Sequence, residues 1–182
     1  MKTEYRPTKS ISEVIDEVRE EFKKTYGRLL TEEAIKLTEE IKAAIRYERD
    51  ICRTQERIFK YAAEHNYNME DFSKTLMESD ITNKDMDGEY STLCCSTAEE
   101  IIYELGNPEF EYEKNDDDIE RAGWIGYIYR LLQIESQYSS GEIYRVLPYH
   151  KMKDIWIGGH TMGCTEVVTD LIEIIKQSGN QP

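Results

Sequence analysis

The stretch that decides the fold is "IERAGWIGYIYRLLQIESQY", residues 119–138. Its apolar side chains recur at helical spacing and also extend around the sides of the helix, so that most of the circumference is apolar. Such a helix is typical of the buried centre of a bundle. Gly123 and Gly126 lack side chains, and we therefore expect a second helix to approach closely at this point.

Two short helices are predicted directly after this stretch. Ser139 and Glu142 stand at the spacing of a capping box, which marks the start of a helix. Pro148 either ends that helix or begins the next one, "YHKMKDIWIGG". The segment Trp124–Gly163 is accordingly predicted to be the packed core, with a final helix, capped by Thr165, lying across it.

The longest pattern lies upstream, in "TEEAIKLTEEIKAAIRYERDICRTQERIFKYAAEHN". Thr31 is its predicted N-cap, and an apolar stripe predicts a helix over residues 31–64, about 50 Å long. The run Tyr47–Asp50 is polar, so a bend or a break is possible there. The same helix could pair with a copy of itself.

The remaining helix boundaries carry capping signals. They are Ser10 with Glu13 and a stop at Gly27, Asn68, Ser96 with Glu99 and a stop at Gly106, and Asp118. No strand pattern occurs. We therefore predict an all-α fold, an irregular bundle with one long N-terminal helix and a C-terminal cluster of short helices. It is a single domain over 1–182, with a possible subdivision into 1–66 and 67–182.

Composition restricts the possible partners. The net charge is −14, and residues 1–120 account for it, with 17 Lys+Arg against 31 Asp+Glu. This excess repels nucleic acid and anionic lipid, whereas it favours a basic protein partner. Tyrosine (13) outnumbers phenylalanine (4), as suits half-buried contact surfaces. The N-terminal residues show no signal-peptide pattern and the four cysteines show no CxxC pair, so we expect a cytoplasmic protein that does not enter a membrane.

Metal and cofactor sites are not predicted. His65, His150 and His160 are too far apart in sequence to form a zinc motif, and no calcium or nucleotide loop occurs. His160 and Cys164 flank a loop before a helix, which can lower the pKa of a thiol, but a packed cysteine beside a capping loop explains them more simply.

Two further readings of the C-terminal half stay open. Residues 139–160, with basic Arg145, Lys151 and Lys153 nearby, could form a helix-turn-helix that binds DNA. Alternatively, an enzyme could use a cleft formed by four candidate catalytic residues. These are Tyr127, Tyr129, Arg130 and His160.

A protein-binding role is favoured over both, because the catalytic motifs are so few. We expect the long helix to present an acidic surface to the partner. The candidate partner-binding residues lie in and next to its polar run. These are Arg46, Tyr47, Glu48 and Asp50.

Part of the chain, residues 72–174, resembles a group of uncharacterised helical proteins from Firmicutes and gut bacteria, some encoded beside suspected toxin genes. The residues that carry the resemblance are Trp124–Arg130, Ser139-Ser140, Glu142–Tyr144 and His160-Thr161. The group has no catalytic motif of known role, so the resemblance implies no reaction. It implies an antitoxin-like or mobile-element protein.

Overall fold

The computed structural model describes residues 16–21, 32–88, 91–106, 118–136 and 138–179, and these ranges are helical with no strand among them. The predicted all-α fold is confirmed. The helices are α1 (Glu32–Glu64), α2 (Met69–Met77), α3 (Ala98–Glu104), α4 (Ile119–Glu135), α5 (Ser140–Val146), α6 (Tyr149–Gly159) and α7 (Cys164–Gly179). A π-helical turn at Thr82–Met86 and a 3-10 turn at Thr92–Cys95 connect α2 to α3.

The chain divides into two compact units, Met1–Ile45 and Arg46–Pro182. Helix α1 begins in the first unit and ends in the second, and it is helical throughout, including the polar run at Tyr47–Asp50. No break occurs there. The predicted helix from Ser10 to Gly27 lies largely outside the described residues. Its described part, residues 16–21, is helical.

The apolar stripe of α1 has two different environments. In the second unit Ile51, Ile58, Phe59 and Ala62 are buried in the core. In the first unit Leu37, Ile41 and Ile45 remain 57%, 52% and 47% exposed. The sequence pattern is the same in both halves, so the pattern predicts the helix correctly but does not distinguish its buried part from its exposed part.

Helix α4 is the centre of the second unit, as its apolar circumference predicts. It contacts α5, α6 and α7, and α2 contacts α5 and α6. Ile125, Ile128, Tyr129 and Leu132 are fully buried along its length. Trp124–Gly163 therefore supplies part of the core, with the last helix packed on α4 as predicted. Helices α1, α2 and α3 supply much of the rest, and Ile157 within the segment is 70% exposed.

Gly126 of α4 faces the backbone of α1. A Cβ atom built on Gly126 would lie 2.8 Å from the Gln55 carbonyl oxygen and 2.8 Å from the Phe59 ring. A Cβ on Gly123 would meet the flexible stem of Lys60 instead. The close approach predicted for this glycine pair is thus present, and at Gly126 it involves the backbone of α1.

Two predicted caps are wrong. The capping box of α3 is formed by Thr97 and Glu100, one residue later than predicted, because the N–H of Ser96 already donates to the Leu93 carbonyl of the preceding turn. Helix α7 begins at Cys164, so Thr165 lies inside its first turn and is not the cap. The caps at Asn68 and Ser139 and the stop at Gly106, with φ of 89°, are confirmed, and the helix start predicted near Asp118 is found with Asp118 as its N-cap.

Within the described ranges, none of the helices has both the length and the apolar character that crossing a bilayer requires.

Candidate functional site

Arg130 lies at the centre of a polar cluster inside the second unit. Its side chain is fully buried in α4. Nε donates to Gln55 Oε1 at 2.9 Å, and Nη1 donates to the Met86 carbonyl at 2.9 Å. Nη1 also lies 2.6 Å from Asp87 Oδ1. Burial lowers the pKa of the guanidinium while the Asp87 carboxylate acts in the opposite direction.

The Asp87 carboxylate has a second set of partners at the start of α5. Ser140 Oγ donates to Oδ1 at 2.6 Å, and the Ser140 N–H donates to Oδ2 at 2.8 Å. The negative charge thereby lies at the positive end of a helix dipole. The N–H of Asp87 donates to the Thr82 carbonyl at 2.8 Å and so closes the π-helical turn that places this residue.

A second carboxylate, Glu70 of α2, serves the start of α6 in the same way. The N-cap of α6 is Pro148, whose side chain accepts no hydrogen bond. The His150 N–H donates instead to Glu70 Oε2 at 2.8 Å, and His150 Nδ1 lies 3.1 Å from Oε1. Tyr144 O–H donates to the Glu70 carbonyl at 2.9 Å, and burial together with Glu70 raises the pKa of this phenol.

An open pocket of about 630 Å³ lies beside Glu70. Its lining residues are Asn68, Glu70, Asp71, Lys74, Glu78, Tyr144, Arg145 and Pro148. Three carboxylates and two cations form most of this wall. Small-molecule sites are usually lined mainly by apolar side chains. The lining of this pocket is mainly charged, so it resembles an ordinary charged part of the surface.

The four candidate catalytic residues do not form an open cleft. Tyr129 is fully buried and its O–H donates to the Leu147 carbonyl at 2.6 Å, while burial raises its pKa well above the usual value. Arg130 is equally buried and engaged with Asp87. Tyr127 is half-buried, and burial raises its pKa as well. Tyr129 and Arg130 thus hold helices together and are closed to a dissolved substrate.

His160 takes a local structural position at the end of α6. Its side chain is exposed, Nδ1 lies 2.6 Å from the Trp156 carbonyl, and the two rings stack with centroids 4.3 Å apart. The structure records no hydrogen bond between His160 and Cys164. His160 and Cys164 therefore do not supply the hydrogen-bonded pair that a catalytic thiol would use.

The helix-turn-helix reading meets two short helices, as predicted, but their basic side chains have local partners. Arg145 Nε donates to the Gly141 carbonyl, and Lys151 Nζ donates to the Val146 carbonyl. Lys153 Nζ lies 6.0 Å from the centroid of the Tyr149 ring. Side chains engaged within or between these two helices are poorly placed to contact phosphates, and DNA binding stays a prediction.

The candidate partner-binding residues on α1 have mixed roles. Arg46, Glu48 and Asp50 are exposed, whereas Tyr47 is half-buried and its oxygen accepts from the Ser91 N–H at 2.5 Å. Residues 32–64 contain eight acidic and seven basic residues. The expectation that the long helix is an acidic surface is therefore wrong, because its charges nearly cancel.

The negative charge is concentrated in residues 65–120, which we call the acidic segment. It contains 17 Asp+Glu and 3 Lys+Arg, a net charge of −14, and the rest of the chain is close to neutral. Eight of the carboxylates in its described part are exposed. They are Asp71, Glu78, Asp80, Glu99, Glu100, Glu104, Asp118 and Glu120.

Asp87 and Glu70 are two functional partners that could not be found from the sequence. An arginine in the middle of an apolar helix requires a carboxylate, but nothing in the sequence selects Asp87 among 37 acidic residues. Glu70 gives no signal either, because it lies far in sequence from the helix that it caps. Over the described residues no group of three or more His, Cys, Asp or Glu side chains could hold a metal ion.

Comparison with protein families, with curated proteins and with solved structures finds no match to this chain.

Proposed function

We propose that this protein is a non-enzymatic binding protein and that its acidic segment receives a basic protein partner. The observation that carries the proposal is the segregation of charge, with a net −14 in residues 65–120. A charge distributed for solubility alone would be spread over the whole chain. Concentrated in one segment, it produces a field that draws a basic partner and orients it.

The chemistry of the second unit supports binding over catalysis. Arg130 and Asp87 inside the fold, and Glu70 at its surface, are used to join helices. Several exposed carboxylates of the acidic segment, Asp71, Glu78 and Glu104, are available to another macromolecule. In the resembled bacterial group some members are encoded beside suspected toxin genes, and a basic toxin is one partner of the required chemistry. An antitoxin-like or regulatory role follows from this, within the cytoplasm.

The test compares two variants of equal net charge. The first, Asp71→Asn with Glu78→Gln and Glu104→Gln, removes three exposed charges from the acidic segment. The matched control, Asp154→Asn with Glu166→Gln and Asp170→Asn, removes three exposed charges from α6 and α7. Each full-length protein is immobilised, and the proteins that it retains from the lysate of its host are eluted with increasing salt.

We expect the native chain and the control to retain the same basic protein and to release it as the salt concentration rises. The acidic-segment variant should release that protein at distinctly lower salt. Equal release from both variants would show that the location of the charge does not matter and would contradict the proposal. Retention of no basic protein by the native chain would contradict it as well.

A further inference from the structure

Tyr103 is the most exposed large apolar side chain of the described residues, at 76%. It lies in α3, inside the acidic segment, next to Ile101 and Ile102, which are buried. An aromatic ring held outside the fold contributes nothing to the core. Exposed tyrosines are enriched among the residues that contribute most to protein interfaces, since the ring is large and loses little conformational freedom on binding.

The helix that carries Tyr103 is well fixed. Thr97 and Glu100 form a reciprocal capping box at its start. Tyr61 O–H of α1 donates to Glu99 Oε1 at 3.3 Å. The ring is therefore presented by a preformed helix, and a partner does not need to order this element on binding.

Carboxylates neighbour Tyr103 along α3. Glu99 and Glu100 precede Tyr103 by four and three residues, and side chains at these spacings are neighbours on one face. Glu104 follows directly, and all three glutamates are exposed. A cation above the ring would meet both the negative face of the aromatic system and the nearby carboxylates.

We propose that Tyr103 is the anchor of the interaction surface and that a lysine or arginine side chain of the basic partner lies over its ring. This inference rests on the proposed function and names its contact point. The charge complementarity selects a basic segment of a protein as the occupant. Glu99 and Glu100 supply the attraction, and the ring supplies the apolar contact that carboxylates alone lack.

The probe is a nona-arginine peptide, titrated into the isotope-labelled full-length protein and followed by amide chemical shifts at low salt. We expect the largest shift changes within Ala98–Glu104. Tyr103→Ala should weaken binding about two- to fivefold, and Tyr103→Phe should retain the native affinity because the ring is kept. Ile157→Ala, which truncates another exposed side chain (70%) in α6, is the matched control and should bind as the native chain does.

The outcomes separate this inference from the proposed function. Native affinity in Tyr103→Ala, or shift changes centred outside α3, would overturn the anchor. If in that case the three-carboxylate variant still bound more weakly than its matched control, the acidic segment would keep its role. If the peptide bound the native chain nowhere at low salt, both would fall.

Discussion

Asp87 and Arg130 form an ion pair of 2.6 Å in which the arginine is fully buried and the aspartate is 8% exposed. The pair joins the segment after α2 to the central helix α4. Removing one partner from such a pair costs far more than an exposed pair contributes, because the remaining charge has lost its water as well as its counter-ion.

The first prediction concerns this pair. Asp87→Asn should lower the free energy of unfolding by about 3–5 kcal/mol, since Arg130 would be left buried without a negative charge. Urea denaturation followed by circular dichroism measures the change. Asp80→Asn is the control, because Asp80 pairs with Lys84 at 2.8 Å on the surface and should cost less than about 1 kcal/mol.

A double variant checks the reason for that loss. Arg130→Met combined with Asp87→Asn removes both charges and should recover part of the stability that Asp87→Asn loses. If the single Asp87→Asn cost no more than the surface control, the guanidinium would not depend on this carboxylate.

The second prediction concerns the packing of α4 against α1 at Gly126. Gly126→Ala should destabilise the protein by about 1–3 kcal/mol, because the new methyl group would meet the Gln55 carbonyl and the Phe59 ring. Gly158→Ala places the same methyl group in open space and should be neutral or stabilising by up to about 1 kcal/mol. Thermal unfolding of the two variants side by side distinguishes a packing effect from a general effect of alanine.

The third prediction concerns the start of α6. Glu70→Ala should cost about 1–2 kcal/mol, in the range of a lost helix cap, because the His150 N–H would lose its acceptor. Glu70→Gln keeps an acceptor oxygen and should cost clearly less. Hydrogen exchange at the His150 amide should accelerate in the alanine variant, and an unchanged rate there would show that another group satisfies this N–H.

The fourth prediction concerns alkaline pH. Burial raises the pKa of Cys52 from 9.0 to about 12 and raises the pKa of Tyr129 and Tyr144 from 10.0. At a pH between a group's pKa in the unfolded chain and its pKa in the folded protein, the unfolded chain binds fewer protons. The contribution of these groups to the free energy of unfolding is therefore fully present below pH 9 and is lost as the pH rises through their pKa values in the folded protein. Denaturation midpoints between pH 8 and 12 should follow this slope.

Cys52→Ala tests the contribution of the thiol to that slope. The variant loses stability at every pH because a buried side chain is truncated, but its decline between pH 9 and 12 should be shallower than that of the native chain. If the stability of the native chain and of the variant fell equally between pH 9 and 12, the loss of stability at alkaline pH would be assigned to the tyrosines alone.

Helix patterns could be predicted from the sequence because they are local. The positions of Asn68, Asp118 and Ser139 follow from the chemistry of a single turn, and the centrality of α4 follows from its apolar circumference. The cap of α3 was misplaced because "ST" offers two boxes one residue apart. Only the competing bond of Ser96 to Leu93 decides between them.

The roles of Arg130 and Tyr129 could not be predicted, because the same residues suit a catalytic cleft and a buried network. What separates the two is the set of long-range partners, Asp87 and Leu147, and these depend on how the helices pack. The exposure of Tyr103 is likewise a property of packing, since Ile101 and Ile102 beside it are buried.

The hydrogen bonds from the Ser140 and His150 amides to Asp87 and Glu70 tie late segments of the chain to early ones. The amide of Ser140 depends on a residue 53 positions before it, and that of His150 depends on one 80 positions before it. During synthesis the acidic segment leaves the ribosome first, and the helices that need its carboxylates emerge afterwards. Removal of the residues before 118 would thus take away the acceptors of the Ser140 N–H in α5 and of the His150 N–H in α6, which makes the second unit a body that folds as a whole.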